Sequence, residues 1–309
     1  MAKQAVLLLA HGTPETVEQI PEYLLNVTGG RPLPEAVVHE IQHRYSLIGH
    51  SPLTAITLAQ GKRVEAELAA AGLPVPVYVG MRNWQPYIAD VLAQIKAAGV
   101  EQVAVLCLAP QNSRTSTGLY RKAVEAAAAG LQIDFTAGWA DHPLLAEAFA
   151  ERLRPVLARL QAESDASVPV LFTAHSVPVR TVQAPADGQP GDPYVEDART
   201  TARLVAERVP GISRQLFAFQ SQGASGGPWI GPTVEQTLDG LAQEGVKSLI
   251  LQPIGFLCDH VEILYDVDCV FAEYARKLGI QLTRPESLND SPTLARAIAE
   301  LAKMALERI

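Results

Sequence analysis

Cysteine is scarce in this sequence. The three residues, Cys107, Cys258 and Cys269, are scattered over 309 positions and form no Cys-X-X-Cys pair. An ordinary iron–sulfur cluster takes four thiolates, so one chain with three cysteines excludes it. An odd, dispersed set also argues against a disulfide framework and is typical of a reducing compartment. We therefore expect a cytoplasmic protein without an iron–sulfur cluster.

Basic charge and long apolar runs are lacking as well. The formal net charge is -8, which disfavours a nucleic-acid partner because binding polyphosphate needs a basic surface. No stretch approaches the roughly 18 apolar residues of a membrane span, and the run at residues 5–10 is too short for the core of a signal peptide. We expect no transmembrane segment.

The glycine signatures of phosphate-binding loops are absent too. Residues 223–227 are rich in glycine, but they match neither the Walker pattern nor Gly-X-Gly-X-X-Gly. We interpret this segment as a flexible turn, and residues 187–193 as a surface loop.

The residues that are present indicate an α/β protein. Hydrophobic residues make up 48% and charged residues 19%, a balance typical of globular chains, and the length suffices for two domains. Apolar runs with little alternation, separated by Ala-rich helical stretches, indicate parallel sheets covered on both faces. Strands are predicted at residues 5–10, 75–79, 103–108, 168–173, 216–219 and 248–253, and helices at 87–98, 144–162, 197–208 and 234–243.

The last helix has a well-marked start. Ser291 can cap it, and Pro292 stands at the first helical position. One apolar stripe is predicted along it, formed by Leu294, Ile298, Leu301 and Met304.

The sequence resembles itself in two places. Residues 6–14 and 170–178 each read as an apolar strand followed by Ala-His and a proline, and residues 86–103 resemble residues 232–249. The order is the same in both halves, so we interpret the chain as two similar Rossmann-like α/β domains. The boundaries are predicted at residues 1–155 and 156–309, with the C-terminal helix packing back on the first domain.

This duplication predicts where two histidines lie. His11 and His175 each follow the first strand of their half. Ligands of open parallel sheets bind beyond the carboxyl ends of the strands. If the halves face each other, both imidazoles approach one cleft.

A second group follows the strand that ends near residue 253. Residues 255–268 read as a helix with Asp259 at a capping position, in which Glu262 and Asp266 share one face and Val261, Leu264 and Tyr265 take the other. Carboxylates near imidazoles can bind a divalent first-row metal or relay protons. A solvated acidic helix face is the alternative, and the sequence pattern leaves both open.

These residues belong to a wider set in which the chain resembles the ferrochelatase family over almost its whole length. The matching segments are residues 9–14 (Leu-Ala-His-Gly-Thr-Pro), 44–53 (Arg-Tyr to Ser-Pro-Leu), 108–110, Tyr120, 174–176 (Ala-His-Ser), 192–194 (Asp-Pro-Tyr), 220–221, 228–229 and 259–265 (Asp-His-Val-Glu-Ile-Leu-Tyr). The form of the first third and the lack of a C-terminal extension are similar to the coproporphyrin branch of the family.

The resemblance implies a lyase of haem biosynthesis that inserts ferrous iron, as substrate, into a porphyrin, with coproporphyrin III favoured. It implies no permanently bound cofactor, a monomer, and another enzyme of the haem pathway as partner. His175 and Glu262 would be the catalytic and metal-handling pair, His11 an axial ligand to product iron, and Asp266 an outer metal site. The implied porphyrin-binding residues are His11, Thr28, Arg44, Tyr45, Ser51 and Tyr120.

Four positions depart from the family pattern. His11 replaces a tyrosine usual in the coproporphyrin branch, and Thr28 replaces an arginine common in a propionate-binding loop. His50 interrupts a usual Gly-Gly pair. Val270 replaces a carboxylate that often continues the row after Glu262 and Asp266.

Three alternatives stay open on the sequence. The porphyrin could be protoporphyrin IX, or the chain could be a sirohydrochlorin cobalt or nickel chelatase, whose His-Gly start is similar. The third alternative is a protein that binds haem or porphyrin without catalysis.

Overall fold

The computed structural model describes residues 3–163, 167–184, 191–222 and 227–309. The glycine-rich turn predicted at residues 223–227 lies outside these ranges except for Gly227. Most of the surface loop predicted at residues 187–193 lies outside them as well.

The first half of the chain builds one parallel sheet in the order β2-β1-β3-β4. Strand β1 is buried along nearly its whole length because helices cover both faces of the sheet. The elements are β1 (Gln4–Ala10), a 3₁₀ turn (Val17–Gln19), α1 (Ile20–Val27), α2 (Glu35–Ile48), α3 (Leu53–Ala70), β2 (Val77–Met81), α4 (Ile88–Ala97), β3 (Gln102–Cys107), α5 (Thr117–Ala127), β4 (Gln132–Thr136) and α6 (Pro143–Glu163).

The second half builds a second parallel sheet in the equivalent order, β6-β5-β7-β8. The two Rossmann-like halves predicted from the internal resemblance are therefore confirmed. The elements are β5 (Val170–His175), α7 (Val179–Val182), α8 (Tyr194–Glu207), β6 (Gln215–Gln220), α9 (Val234–Gln243), β7 (Ser248–Pro253), a π-helix (Glu262–Phe271), α10 (Ala272–Lys277), β8 (Gln281–Thr283) and α11 (Pro292–Glu307).

The two halves share one hydrophobic core. A continuous cluster joins Leu8 of β1, Phe149 of α6, Phe172 of β5 and Ile298 of α11, all of them fully or almost fully buried. Helix α11 packs against α3, α6, β3 and β4, so the end of the chain covers the first sheet. Helix α6 runs unbroken through residue 155, and the boundary there stays a prediction.

Helix α11 shows how far its sequence pattern holds. The Ser291 hydroxyl accepts a hydrogen bond from the Leu294 N–H at 3.3 Å, and Pro292 takes the first helical position. Leu294, Ile298 and Leu301 are buried. The prediction for Met304 is wrong, because its side chain is 45% exposed while Ala305 and Leu306 fill the core at that turn.

No helix in the four described ranges is both long and apolar enough to span a membrane.

Candidate active site

A cavity of about 500 Å³ lies between the two sheets. Much of its wall comes from the segments that follow the carboxyl ends of β1, β3, β5 and β7, the position that ligands occupy in open parallel sheets, and helices such as α3 complete it. The volume falls within the range of roughly 300–1,000 Å³ that suits small-molecule and cofactor ligands. An organic molecule is therefore a fitting occupant.

His175 and Glu262 meet at this cavity. β5 ends on His175, the π-helix begins on Glu262, and the imidazole Nε2 lies 3.6 Å from the carboxylate Oε2. Both side chains are about one-third exposed, at 31% and 34%. Because the Glu262 Oε2 atom is buried without a hydrogen-bond partner among the described residues, a proton or a cation placed there would satisfy it.

The orientation of His175 follows from its other ring nitrogen. Nδ1 contacts the Ser176 carbonyl oxygen, which can only accept, so Nδ1 carries the hydrogen and donates it. This leaves the Nε2 lone pair facing Glu262 and the cavity. The Tyr194 hydroxyl donates to the His175 carbonyl oxygen at 2.8 Å and holds the backbone at the end of β5.

The loop between β7 and the π-helix packs directly on β5. A Cβ atom added at Gly255 would lie 3.0 Å from the Ala174 Cα, which is tighter than most such contacts, so a larger residue would push the loop away from β5. The same packing brings the Phe256 ring to 6.3 Å from the His175 ring, measured between centroids.

The helix that carries Glu262 differs from the prediction in two ways. It is a π-helix, a form that is rare and concentrated at functional sites, and Asp259 does not cap it. Asp259 instead accepts hydrogen bonds from Ser287 and Asn289. Val261 was predicted to lie on the face away from Glu262, which is wrong, because it lines the cavity beside Glu262.

His11 lines the same cavity from the end of β1. Burial, together with the nearby Arg82, His260 and His175, lowers the pKa of His11 from 6.5 to about 3. The imidazole is therefore neutral near pH 7. The Asn83 side-chain nitrogen lies 3.0 Å from its Nε2 and 3.2 Å from its Nδ1.

Tyr45, Ser51 and Tyr120 also line the cavity. The Tyr45 hydroxyl is 2.9 Å from the Thr13 hydroxyl, and burial raises the pKa of Tyr45 to about 12. The Ser51 hydroxyl is buried without a hydrogen-bond partner among the described residues, which leaves it available to a ligand. Burial also raises the pKa of Tyr120, so both phenols stay protonated donors near neutrality.

Thr28 and Arg44 do not line the cavity. The Thr28 hydroxyl donates to backbone oxygens at the end of α1, including that of Leu24 at 2.9 Å. The Arg44 Nε lies 3.1 Å from a Glu40 carboxylate oxygen, and its guanidinium carbon lies 5.2 Å from the centroid of the Tyr265 ring.

Asp266 stands one turn beyond Glu262 and outside the cavity lining. Its carboxylate accepts a hydrogen bond from the Ser221 hydroxyl and lies 3.8 Å from Arg44 Nη1. Burial raises the pKa of Asp266. Val270, the next position of the row, is exposed, as is His50.

Two functional candidates escaped the sequence analysis. His260 lines the cavity, its Nδ1 accepts from the Ile263 N–H at 3.4 Å, and burial lowers its pKa. Arg82 also lines the cavity, and its Nε is buried without a hydrogen-bond partner among the described residues. Arg82 directly follows β2, so the rule that points to His11 and His175 could have found it.

The donors for a metal are few in the part of the chain that the structure describes. It contains no group of three or more His, Cys, Asp or Glu side chains arranged to hold an ion. His175 and Glu262 thus offer two donors, and a ligand in the cavity would have to supply the others.

The family model described as Ferrochelatase matches residues 3–306. The chain belongs to the ferrochelatase family. It is therefore a metal chelatase, a lyase of haem biosynthesis that inserts metal into a porphyrin.

Two curated relatives illustrate the range of this ferrochelatase family. A protein of Acidobacterium capsulatum named ferrochelatase is 56% identical, with 99% of this chain and 96% of the relative covered. A protein of Nocardia farcinica named coproporphyrin III ferrochelatase is 34% identical, with 99% and 89% covered.

A comparison with solved structures identifies the fold that this ferrochelatase shares with other proteins. SirB from Bacillus subtilis with Fe3+ superposes with a TM-score of 0.60 at 13% identity, covering 98% of this chain and 96% of that one. At this identity the likeness shows a shared chelatase fold and nothing about substrate.

The lowered pKa of His11 predicts a pH dependence of stability. Between pH 6.5 and about 3 the unfolded chain binds a proton at this position that the folded chain excludes. The free energy of unfolding therefore falls as the pH falls through this window, by up to about 1.4 kcal/mol per pH unit from this group. His11→Gln removes the titration, so denaturant unfolding from about pH 6.5 to 4.5 should show a shallower slope than wild type.

His39→Gln is the matched control, because His39 is a surface residue whose side chain is 65% exposed. It should keep the wild-type slope. Equal slopes for wild type and His11→Gln would contradict the neutral, buried state of His11.

Proposed function

We propose that this ferrochelatase inserts ferrous iron into coproporphyrin III, by holding the ring bent while His175 removes the pyrrole protons. The observation that supports it best is the His175–Glu262 pair, with Nε2 and Oε2 3.6 Å apart at the wall of a cavity with room for an organic ligand.

The chemistry of the substrate explains why such a pair is needed. A free-base porphyrin carries two pyrrole N–H protons in a stiff, nearly planar ring. Iron enters only when nitrogen lone pairs point out of the plane and both protons leave. Contacts at the ring edge supply the bending strain. The free energy of binding the porphyrin thereby lowers the activation barrier of metal insertion.

His175 acts as the base in this proposal. Its Nε2 lone pair faces the cavity, where it can accept a proton from a pyrrole N–H. Once protonated, Nε2 forms a charge-assisted contact with the Glu262 carboxylate. Glu262 then relays the proton or holds the incoming ion, and Asp266 extends the acidic path towards Ser221 and Arg44.

His11 serves the product rather than the proton transfer. Its neutral imidazole keeps a lone pair near pH 7, and imidazole suits iron as a ligand. It would bind the inserted iron as an axial ligand.

Coproporphyrin III carries four propionates, whereas protoporphyrin IX carries two. Tyr45, Ser51, Tyr120 and Arg82 offer hydroxyl and guanidinium donors around the cavity, and the relative in Nocardia farcinica is named for coproporphyrin III. Arg44 and Thr28 lie outside the cavity lining, so in this proposal they contact propionates that extend beyond it. These points favour the porphyrin with more carboxylates.

In this reaction iron enters as substrate, and no cofactor stays bound. The three thiols lie in separate elements, Cys107 in β3, Cys258 after β7 and Cys269 in the π-helix, which suits a chain without an iron–sulfur cluster. The protein works as a cytoplasmic monomer and passes its product to another enzyme of the haem pathway.

Substrate competition tests the proposed function. The purified protein is incubated with coproporphyrin III, protoporphyrin IX or sirohydrochlorin, each with ferrous, cobalt or zinc ion, and insertion is followed by absorbance. Ferrous iron with coproporphyrin III should be inserted fastest. Faster insertion into protoporphyrin IX or sirohydrochlorin would overturn the assignment of coproporphyrin III as substrate. Binding without any insertion would indicate a protein that carries porphyrin without catalysis.

Removing the base should separate binding from chemistry. His175→Ala should lower the insertion rate by about 100-fold or more, a loss typical of a missing general base, while porphyrin affinity measured by fluorescence quenching stays close to wild type. His39→Ala, at the exposed surface, is the matched histidine control and should insert iron normally. Near-normal turnover in His175→Ala would mean that another group is the base.

The product spectrum tests the role of His11. His11→Ala should change the Soret band of bound ferric product more than it changes the insertion rate, because it removes an axial nitrogen ligand. An unchanged spectrum would show that the iron takes no ligand from this position.

A further inference from the structure

Asn289 adopts a backbone conformation that few residues accept. Its φ angle is 49°, and within the described ranges only one other residue besides glycine, Ser221, has a positive φ. Asparagine tolerates this left-handed region better than most side chains do. Such a strained position persists only where the surrounding contacts hold it.

The contacts of Asn289 account for all four of its polar groups. Its backbone N–H donates to the Leu257 carbonyl at 2.9 Å, and its side-chain Oδ1 accepts from the Asp259 N–H at 2.9 Å. Its Nδ2 donates to the Asp259 carboxylate at 3.0 Å. Three bonds from one residue thus fix the loop that leads to His260 and Glu262.

The fourth bond crosses to the other half of the chain. The Gln60 side-chain nitrogen of α3 donates to the Asn289 carbonyl oxygen at 2.7 Å. Gln60 is 3% exposed and lines the cavity. Asn289 therefore joins a wall of the first half to the loop of the second half that carries the reacting groups.

Residues 284–289 also contact the π-helix nearer its middle. Arg284 forms a bidentate pair with Asp268 of that helix, at 2.6 and 2.7 Å, and lies 3.4 Å from the Asp259 carboxylate. Ser287 donates to that carboxylate at 2.6 Å. The loop before the π-helix and the middle of that helix are thus both anchored to residues 284–289.

We propose that Asn289 is a positioning residue for metal insertion, which sets His260 and Glu262 against the α3 wall of the cavity. This rests on the proposed function of Glu262. Small errors in the placement of reacting groups reduce the rate of chemistry while the ligand still binds. Loss of the Asn289 side chain should therefore act on kcat more than on KM for porphyrin.

Two substitutions at this residue distinguish the contribution of the Asn289 side chain from that of its backbone. Asn289→Gly retains access to positive φ and both backbone hydrogen bonds, but it loses both bonds to Asp259. Asn289→Asp retains the acceptor for the Asp259 N–H and sets a second carboxylate against Asp259. Each should lower kcat about tenfold or more while the porphyrin KM stays within about twofold of wild type.

A reciprocal exchange tests the pairing itself. In the double variant Asn289→Asp with Asp259→Asn, the amide and the carboxylate trade places, and one again donates to the other. The double variant should recover most of the kcat lost in Asn289→Asp, because the hydrogen bond between positions 259 and 289 forms again.

Asp290→Ala is the matched control. It removes a partly exposed ion pair with Arg63, 2.8 Å long, between the same two elements and one residue away. Wild-type kcat in both Asn289 variants, an equal loss in Asp290→Ala, or no recovery in the double variant would each overturn the proposal. Rates are compared with whichever porphyrin the wild type metallates fastest, so a wrong substrate assignment leaves this test intact.

Discussion

The distance between the His175 imidazole and the Glu262 carboxylate is set by backbone packing around both residues. On one side, β5 ends in a carbonyl group held by Tyr194. On the other, the loop after β7 lies so close to Ala174 that a Cβ atom at Gly255 would crowd it at 3.0 Å. This backbone packing brings both side chains to the wall of one cavity.

The cavity combines buried uncharged groups with a cation and a carboxylate. Burial keeps His11 neutral and the Tyr45 phenol protonated, so one remains an acceptor and the other a donor. Arg82 supplies a positive charge to the cavity, while Glu262 supplies a carboxylate with one buried oxygen unpartnered. The donors and the cation suit the anionic edge of a ring. The neutral imidazole and the carboxylate suit a divalent metal ion at the centre of that ring.

Much of this arrangement could be predicted from the sequence, and the failures have physical causes. The central strands were predictable because burial on both faces makes them continuously apolar. The edge strands β4 and β8 escaped because they are short and half-exposed. His11, His175 and Glu262 follow from the topology and the motifs. The π-helix could not be inferred, since spacing of four residues suits α and π forms alike. The sequence predicts Asp259 as a cap because its actual partners, Ser287 and Asn289, are distant in sequence.

The core shared by the two sheets limits how the molecule can move. Helix α6 packs against α8 and β7 of the second half, helix α11 packs against α3, β3 and β4 of the first half, and their buried side chains belong to a single cluster. Swinging the lobes apart like a hinge would expose much of that apolar surface to water, at roughly 25 cal/mol for each Å². Entry of a rigid macrocycle and egress of its metallated form therefore depend on local rearrangement of segments at the rim, within a frame that stays closed.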